Sequence, residues 1–410
     1  MVDLLKLLGV LALIMGLLRL GWNLGLVLLL ASVLTGLMYG LDLSELLLDV
    51  VGATFDPLTV ELVAIVLFIT YLGEILGATH KLEGLVRSLS DLFVDSRWLL
   101  VLMPMLIGML PVAGGAMFSA PMVQEVSQGL DLSRERRTFL NYWFRHTMEG
   151  VFPLYPALVL AAGLLGVSVQ AMVLNQYPLF LAAVGGGLLL GMPGIPKPTS
   201  AANHQPSLST SLRLLLNSIW PIALVLILSL ALKVDLVLAL AITLAALVVA
   251  ERQKPRTLWV LLRRMPLGTV PVIVGAMVFR SVLESGQAVE AISVALKGLG
   301  IPVAALLFLV PFAAGLLTGL VSPAFAIGFP IVLPLCGADL GLGGCGILMF
   351  AGGLVGVLVS PLHLCLALTR VYFQADWGGL YRFILPSALL IAATAFGVAL
   401  LGGGSLQAGH

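Results

Sequence analysis

Arg145, His146 and Glu149 stand together in the run Asn141-Tyr142-Trp143-Phe144-Arg145-His146-Thr147-Met148-Glu149-Gly150-Val151-Phe152-Pro153-Leu154-Tyr155-Pro156. A guanidinium holds a carboxylate bidentately, and an imidazole takes up or releases a proton near neutral pH. Arg145 and Glu149 fall at i, i+4 and His146 and Glu149 at i, i+3, spacings that place them on one helix face. The same spacing suits a plain internal ion pair. Ionisable side chains inside an apolar run are nonetheless functional candidates by default. A second run, Val359-Ser360-Pro361-Leu362-His363-Leu364-Cys365-Leu366, breaks at Ser360-Pro361 and sets His363 directly after the break.

Two more segments carry broken backbone rather than charge. One reads Leu110-Pro111-Val112-Ala113-Gly114-Gly115-Ala116-Met117-Phe118-Ser119, the other Leu317-Thr318-Gly319-Leu320-Val321-Ser322-Pro323. Proline interrupts the helical hydrogen-bond ladder and glycine admits close approach of a ligand to backbone. A break leaves carbonyls at one half-helix end, suited to a cation, and N–H groups at the next, suited to an anion. The substrate-binding candidates are therefore Gly114, Gly115, Ser119, Asn141, Arg145, Tyr155, Thr318, Ser322, Ser360 and His363. The candidates for proton or ion coupling are His146, Glu149, His363 and Glu74. No metal ligands are expected, and no cofactor beyond a coupling H+ or Na+.

The elements that must position these residues are set by composition. Of 410 residues, 60% are hydrophobic and 10% charged, against about 25% charged in soluble domains, so a soluble enzyme and a nucleic-acid binder are excluded. Apolar runs recur at 4–20, 22–40, 57–79, 136–166, 175–192, 212–232, 234–250, 267–285, 343–373 and 379–402, read as ten membrane crossings. The segments 97–128 and 301–337 each return to the side they started from, as re-entrant helical hairpins. A Pro-rich stretch, 193–211, divides the chain into a first repeat (1–192) and a second (212–402), followed by a tail, 403–410.

A slide of 207 residues lays Glu83 on Glu290, Leu89 on Leu296, Pro104 on Pro311 and Gly108 on Gly315, and a slide of 208 lays Pro153 on Pro361 and Tyr155 on His363. Five crossings per repeat invert the second repeat relative to the first, an arrangement frequent in secondary transporters. Most Lys and Arg then gather on one side, which places that side and the linker in the cytoplasm and both termini outside. Arg280 and Glu284, with Glu74, remain within spans. Cys336, Cys345 and Cys365 lie in apolar surroundings without zinc-type spacing and are read as small core residues. No Walker A, HExxH or Gly-x-Ser-x-Gly motif occurs, so no enzymatic activity is expected.

The Asn141–Pro156 run, the Leu110–Ala116 tip and the Ser360-Pro361-Leu362-His363-Leu364-Cys365-Leu366 run together resemble the prokaryotic family catalogued as domain of unknown function 401, over nearly the whole chain. The resemblance implies kinship with the ion transporter superfamily of gluconate, citrate and dicarboxylate permeases. It thereby implies an all-α polytopic fold with paired inverted repeats, elevator-type alternating access, a homodimer, and residence in the cytoplasmic (inner) membrane. The expectation is a secondary active transporter moving a small organic anion with H+ or Na+. The alternatives are a cation/proton antiporter of the same architecture, a channel, or, remotely, an intramembrane enzyme or scaffold. The first tip lacks the Asn of sodium-binding signatures, which favours a proton.

Overall fold

The computed structural model describes residues 2–92, 96–109, 116–128, 130–196, 207–298, 300–337 and 339–402. Gly114 and Gly115, much of the 193–211 stretch and the whole of the tail lie outside the described residues. Every regular element among the described residues is helical.

The first part of the chain forms α1 (Val2–Arg19), α2 (Leu24–Met38), α3 (Leu43–Phe55), α4 (Pro57–Ala78), α5 (Lys81–Leu92), α6 (Ser96–Gly108), α7 (Ala116–Val126), α8 (Arg134–His146), α9 (Pro156–Leu165) and α10 (Val169–Gly191). The second part forms α11 (Leu208–Leu226), α12 (Leu236–Ala250), α13 (Pro255–Arg264), α14 (Thr269–Ser285), α15 (Ala288–Lys297), α16 (Val303–Thr318), α17 (Val321–Val332), α18 (Gly341–Leu358), α19 (Leu364–Phe373) and α20 (Trp377–Leu400).

Local sequence accounts for many of the boundaries. Asn23, Asp56, Ser133, Ser168, Asp235 and Asp376 each accept a backbone N–H in the first turn of the helix they precede, satisfying a donor that would otherwise be orphaned. Asp42 and Glu45 form a reciprocal capping box at α3. Pro156 opens α9 at a position where its missing N–H costs nothing, and Gly166 closes it in the left-handed conformation.

Five helices are long and apolar enough to cross a membrane: α4, α10, the segment Leu208–Ala231, α18 and α20. The α13–α14 pair, bent by 53°, makes a sixth if taken as one span. The chain is thus a multi-pass membrane protein by length and composition. Two of the expected crossings are interrupted. α8 ends at His146, passes through a 3₁₀ turn, Thr147–Gly150, and resumes as α9. α18 ends at Leu358 and resumes as α19 after Pro361. Because α8 stops at His146, Arg145 and Glu149 do not share a continuous helix face; the tighter turn carries Glu149.

Close glycine contacts lock the helices together. A Cβ on Gly108 of α6 would lie 2.0 Å from the Arg145 carbonyl oxygen of α8. One on Gly315 of α16 would lie 2.5 Å from the Gly353 carbonyl oxygen of α18. α2 and α14 run side by side in the same direction, Gly25 against Pro271 and Gly36 against Val282. α18 is almost wholly enclosed, with 89% of its most apolar window buried.

The cysteine expectation is corrected in part. Cys336 and Cys345 form a disulfide, and only Cys365 is a free buried thiol. The loop between α17 and α18 folds back and brings the first two together. α20 starts beside the first turn of α8, where the Asp376 N–H donates to Glu135 at 3.1 Å, and ends with Ala399 beside Gly344. The disulfide therefore lies at the opposite end of α20 from Glu135 and the basic first turn of α8.

Candidate functional site

The two interruptions meet. Tyr155 and His363 are the residues that precede α9 and α19, each in an extended conformation and each followed by a ten-residue half-helix. From the other side of the break, α8 delivers Arg145 and His146, both buried. The His146 and His363 rings stand edge to face, with their Nε2 atoms 2.9 Å apart.

Each imidazole is held from behind. His146 Nδ1 lies 2.7 Å from the Tyr142 carbonyl, one helical turn earlier. His363 Nδ1 lies 2.7 Å from the Gly319 carbonyl, at the α16–α17 junction. Gly319 has φ +66°, and a Cβ there would strike the Leu362 and His363 backbone at 2.7–2.9 Å, so glycine is what admits the contact. The Tyr142 hydroxyl in turn donates to the Leu358 carbonyl at 2.9 Å, tying α8 to the end of α18.

The charged groups pack around this pair. Arg145 Nη1 is 3.4 Å from His146 Nε2. The Tyr155 hydroxyl donates to Glu149 Oε1 at 2.5 Å, and the same oxygen is 3.8 Å from His146 Nε2. The other carboxylate oxygen, Oε2, is buried with no hydrogen-bond partner among the described residues. A buried acceptor of this kind carries a desolvation cost unless a proton, cation or donor reaches it.

These groups line a cavity of about 390 Å³, together with Ser322 and Pro323 of α17, Cys365 of α19, Asn23 before α2 and Thr269 of α14. The size is that of a small-molecule site. The protein-family model described as "Protein of unknown function (DUF401)" matches residues 2–401. The chain belongs to that family. No curated protein matches it.

Within this DUF401 chain the sequence-derived candidates divide. Arg145, His146, Glu149, Tyr155, Ser322 and His363 come together on the cavity. Ser360 supports it from behind, its hydroxyl donating to the Leu316 carbonyl at 2.7 Å and accepting the Leu362 N–H at 3.2 Å. Thr318 donates to the Ala314 carbonyl at 2.7 Å and faces a separate cavity of about 360 Å³, shared with Arg19 and Trp22. Asn141 and Ser119 are buried behind α8. Asn141 Nδ2 donates to the Ala116 carbonyl at 2.9 Å, and the Ser119 hydroxyl to the same carbonyl at 3.3 Å.

Glu74, on α4, is not among the cavity's lining residues. Arg280 is scaffold: it pairs with Glu284 at 2.9 Å and donates to the Gly163 and Leu164 carbonyls at the end of α9. A basic side chain there satisfies carbonyls that the helix leaves open. Asn23, Thr269 and Tyr142 were not sequence candidates. Asn23 carried a legible helix-cap signal, but nothing in the sequence links it to residues 146 and 363. His146, His363 and Cys365 each offer one ligand atom within 4.8 Å of the others, a group able to hold a metal ion.

Proposed function

We propose that this protein is a secondary active transporter that moves a small organic anion through the cavity between the two interrupted crossings, coupled to H+ or Na+. The observation that carries the reading is the convergence of a buried Arg145, a buried Glu149 with an oxygen unpartnered among the described residues, and the N-terminus of α9 on one cavity. A guanidinium with a helix N-terminus suits a carboxylate. The Glu149–Tyr155 pair suits a coupling proton, because protonating a buried carboxylate removes a charge that is costly to keep out of water.

The architecture we infer is two inverted repeats, each with a re-entrant hairpin, α6–α7 and α16–α17. Three correspondences support it. Gly108 and Gly315 make the same hairpin-to-crossing contact in the two halves. Their contact partners, Arg145 and Gly353, are themselves related by the 208-residue slide. Tyr155 and His363, related by the same slide, both precede half-helices. In this scheme one hairpin moves with its half against the other, as an elevator, and the protein works as a homodimer in the prokaryotic inner membrane.

The orientation we infer places both termini outside. The disulfide supports it independently of the charge distribution, since disulfides persist in oxidising compartments and Cys336–Cys345 lies at the end remote from the basic first turn of α8. No covalent chemistry is proposed for the site.

Uptake of radiolabelled mono- and dicarboxylates into proteoliposomes, under an imposed pH or sodium gradient, tests the reading. Accumulation that collapses with the gradient supports it. Flux indifferent to any gradient, or none with any carboxylate tried, overturns it. The buried acceptor at Glu149 Oε2 also suits a cation, so cation-dependent proton release without an organic substrate would instead identify a cation/proton antiporter.

A further inference from the structure

The imidazole pair poses a problem that the transport reading does not use. Both Nδ1 atoms face backbone carbonyls, which only accept. Each Nδ1 therefore carries its hydrogen and donates it. In the neutral rings both Nε2 atoms then carry a lone pair and no hydrogen, and they stand 2.9 Å apart. Two acceptor nitrogens at that distance repel. A Lewis acid between them removes the conflict.

A third donor is at hand. Cys365 is the one cysteine outside the disulfide, is buried, and sits in the first turn of the half-helix that His363 precedes. One nitrogen of each ring and Sγ lie within 4.8 Å of one another, and the two Nε2 atoms are the closest pair, at 2.9 Å. An ion with Zn–N near 2.0–2.1 Å and Zn–S near 2.3 Å needs its ligand atoms roughly 3.3–3.6 Å apart, so small side-chain rotations close the set. The backbone carbonyls at Nδ1 are the outer partners that fix tautomer and ring direction in ligating histidines.

We propose that His146 Nε2, His363 Nε2 and Cys365 Sγ form a binding site for a thiophilic d10 cation, Zn2+ or Cu+. Two imidazoles and a thiolate are the donor set these ions prefer over harder ones. Charge arithmetic is consistent with it: one thiolate and the Glu149 carboxylate oppose Arg145, leaving one net negative charge before the ion enters. A monovalent ion brings the cluster to neutrality, and a divalent one leaves a single positive charge and an open coordination position towards the cavity for an anionic ligand. Arg145, 3.4 Å from His146 Nε2, opposes the cation and must turn towards Glu149 and Tyr155 as it binds. The ion would join the halves, with one ligand from α8 and two from the α18–α19 break.

The inference goes beyond the transport reading, and its test needs no transport. Purified full-length protein in detergent is stripped with chelator and titrated with Zn2+, Co2+ as a spectroscopic probe, and Cu+ against a chromophoric competitor. The expected result is one ion per chain, with a thiolate-to-Co2+ charge-transfer band in the near ultraviolet. C365S should remove that band and weaken binding ten- to a hundredfold, as should H363Q, while elution volume and helical circular dichroism stay those of the unmodified protein. Preference between Zn2+ and Cu+ in direct competition identifies the ion. If H363Q fails to fold, C365S alone decides, since serine nearly matches cysteine in volume. No stoichiometric ion, or undiminished binding and the same band in C365S, overturns the proposal. An imidazolium–imidazole pair sharing one proton would then remain as the account of the 2.9 Å contact.

Discussion

Replacing Gly108 with alanine tests whether the α6–α8 contact positions the site. The added Cβ would sit 2.0 Å from the Arg145 carbonyl oxygen and 2.8 Å from its carbon, both backbone atoms. Side chains could yield by rotating; a helix backbone cannot. Cβ contacts under 3.0 Å are essentially never seen, so α6 and α8 must part by about 1 Å. Overpacking of this kind costs about 1–3 kcal/mol. The change also removes glycine from a helix, worth up to about 1 kcal/mol in the other direction.

The proper reference is Gly73→Ala, in α4, where a Cβ meets nothing within 4 Å. The propensity gain at Gly108, the last residue of α6, is at most that at Gly73, so a difference beyond about 1 kcal/mol reports the clash. With an unfolding entropy of about 2.1 cal/mol/K per residue over 410 residues, 1–3 kcal/mol corresponds to about 1–3 °C. Thermal melts by circular dichroism in detergent should put G108A below G73A by that amount, and Gly315→Ala, with its Cβ 2.5 Å from the Gly353 carbonyl oxygen, below it too. G108A melting with or above G73A would refute the claim that α6 rests on the α8 backbone.

The other expectations are these. Glu149→Gln should abolish pH-gradient-driven accumulation in proteoliposomes while leaving the melt within a few degrees, and retained proton-coupled uptake would remove Glu149 from the coupling role. Cys336→Ser should destabilise the protein by about 2–3 kcal/mol, from the chain entropy of a loop spanning a sequence separation of 9. After reduction of the unmodified protein in right-side-out vesicles, a membrane-impermeant maleimide should label this pair, and labelling only from the opposite face would reverse the proposed orientation. Glu135 accepts the Asp376 N–H, which with its helix-terminal backbone donors holds its carboxyl below the usual range. The sign follows: its stabilisation is present above the unfolded carboxyl range and is lost as pH falls through the lower folded value. Glu135→Gln should therefore melt lower than the parent at pH 7, and the gap should narrow as the pH falls below the usual carboxylate range.

Much of the site could be read from residue order because chain breaks in a membrane are written in Pro and Gly. Ser360-Pro361 and the Gly150–Pro156 segment mark where α18 and α8 end, and ionisable residues beside such breaks have few places to go except a cavity. Ser322 was legible for the same reason. What could not be read was convergence. That His146 and His363, 217 residues apart in sequence, touch through Nε2 depends on Tyr142 and Gly319 carbonyls aiming the rings, which leaves no trace in residue type. Glu74 and Arg280 share the apolar context of Glu149, yet one stands off the cavity and the other caps α9; hydropathy does not distinguish a charge that serves a helix end from one that serves a ligand. The disulfide escaped for a related reason. A spacing of nine fits many loops, and only the fold-back between α17 and α18 brings the two sulfurs together.

The side-by-side pairing of α2 with α14 sets a timetable for biogenesis. Gly25 lies in a groove whose occupants, Pro271 and Gly275, are synthesised about 250 residues later. At roughly 5–20 residues per second, the first half waits on the order of 12–50 s in the membrane with that groove unfilled. During that interval it is open to a wrong helix or to a quality-control protease. A chain stalled or truncated before residue 285 should thus be cleared rather than accumulate, and supplying the second half as a separate polypeptide should rescue it.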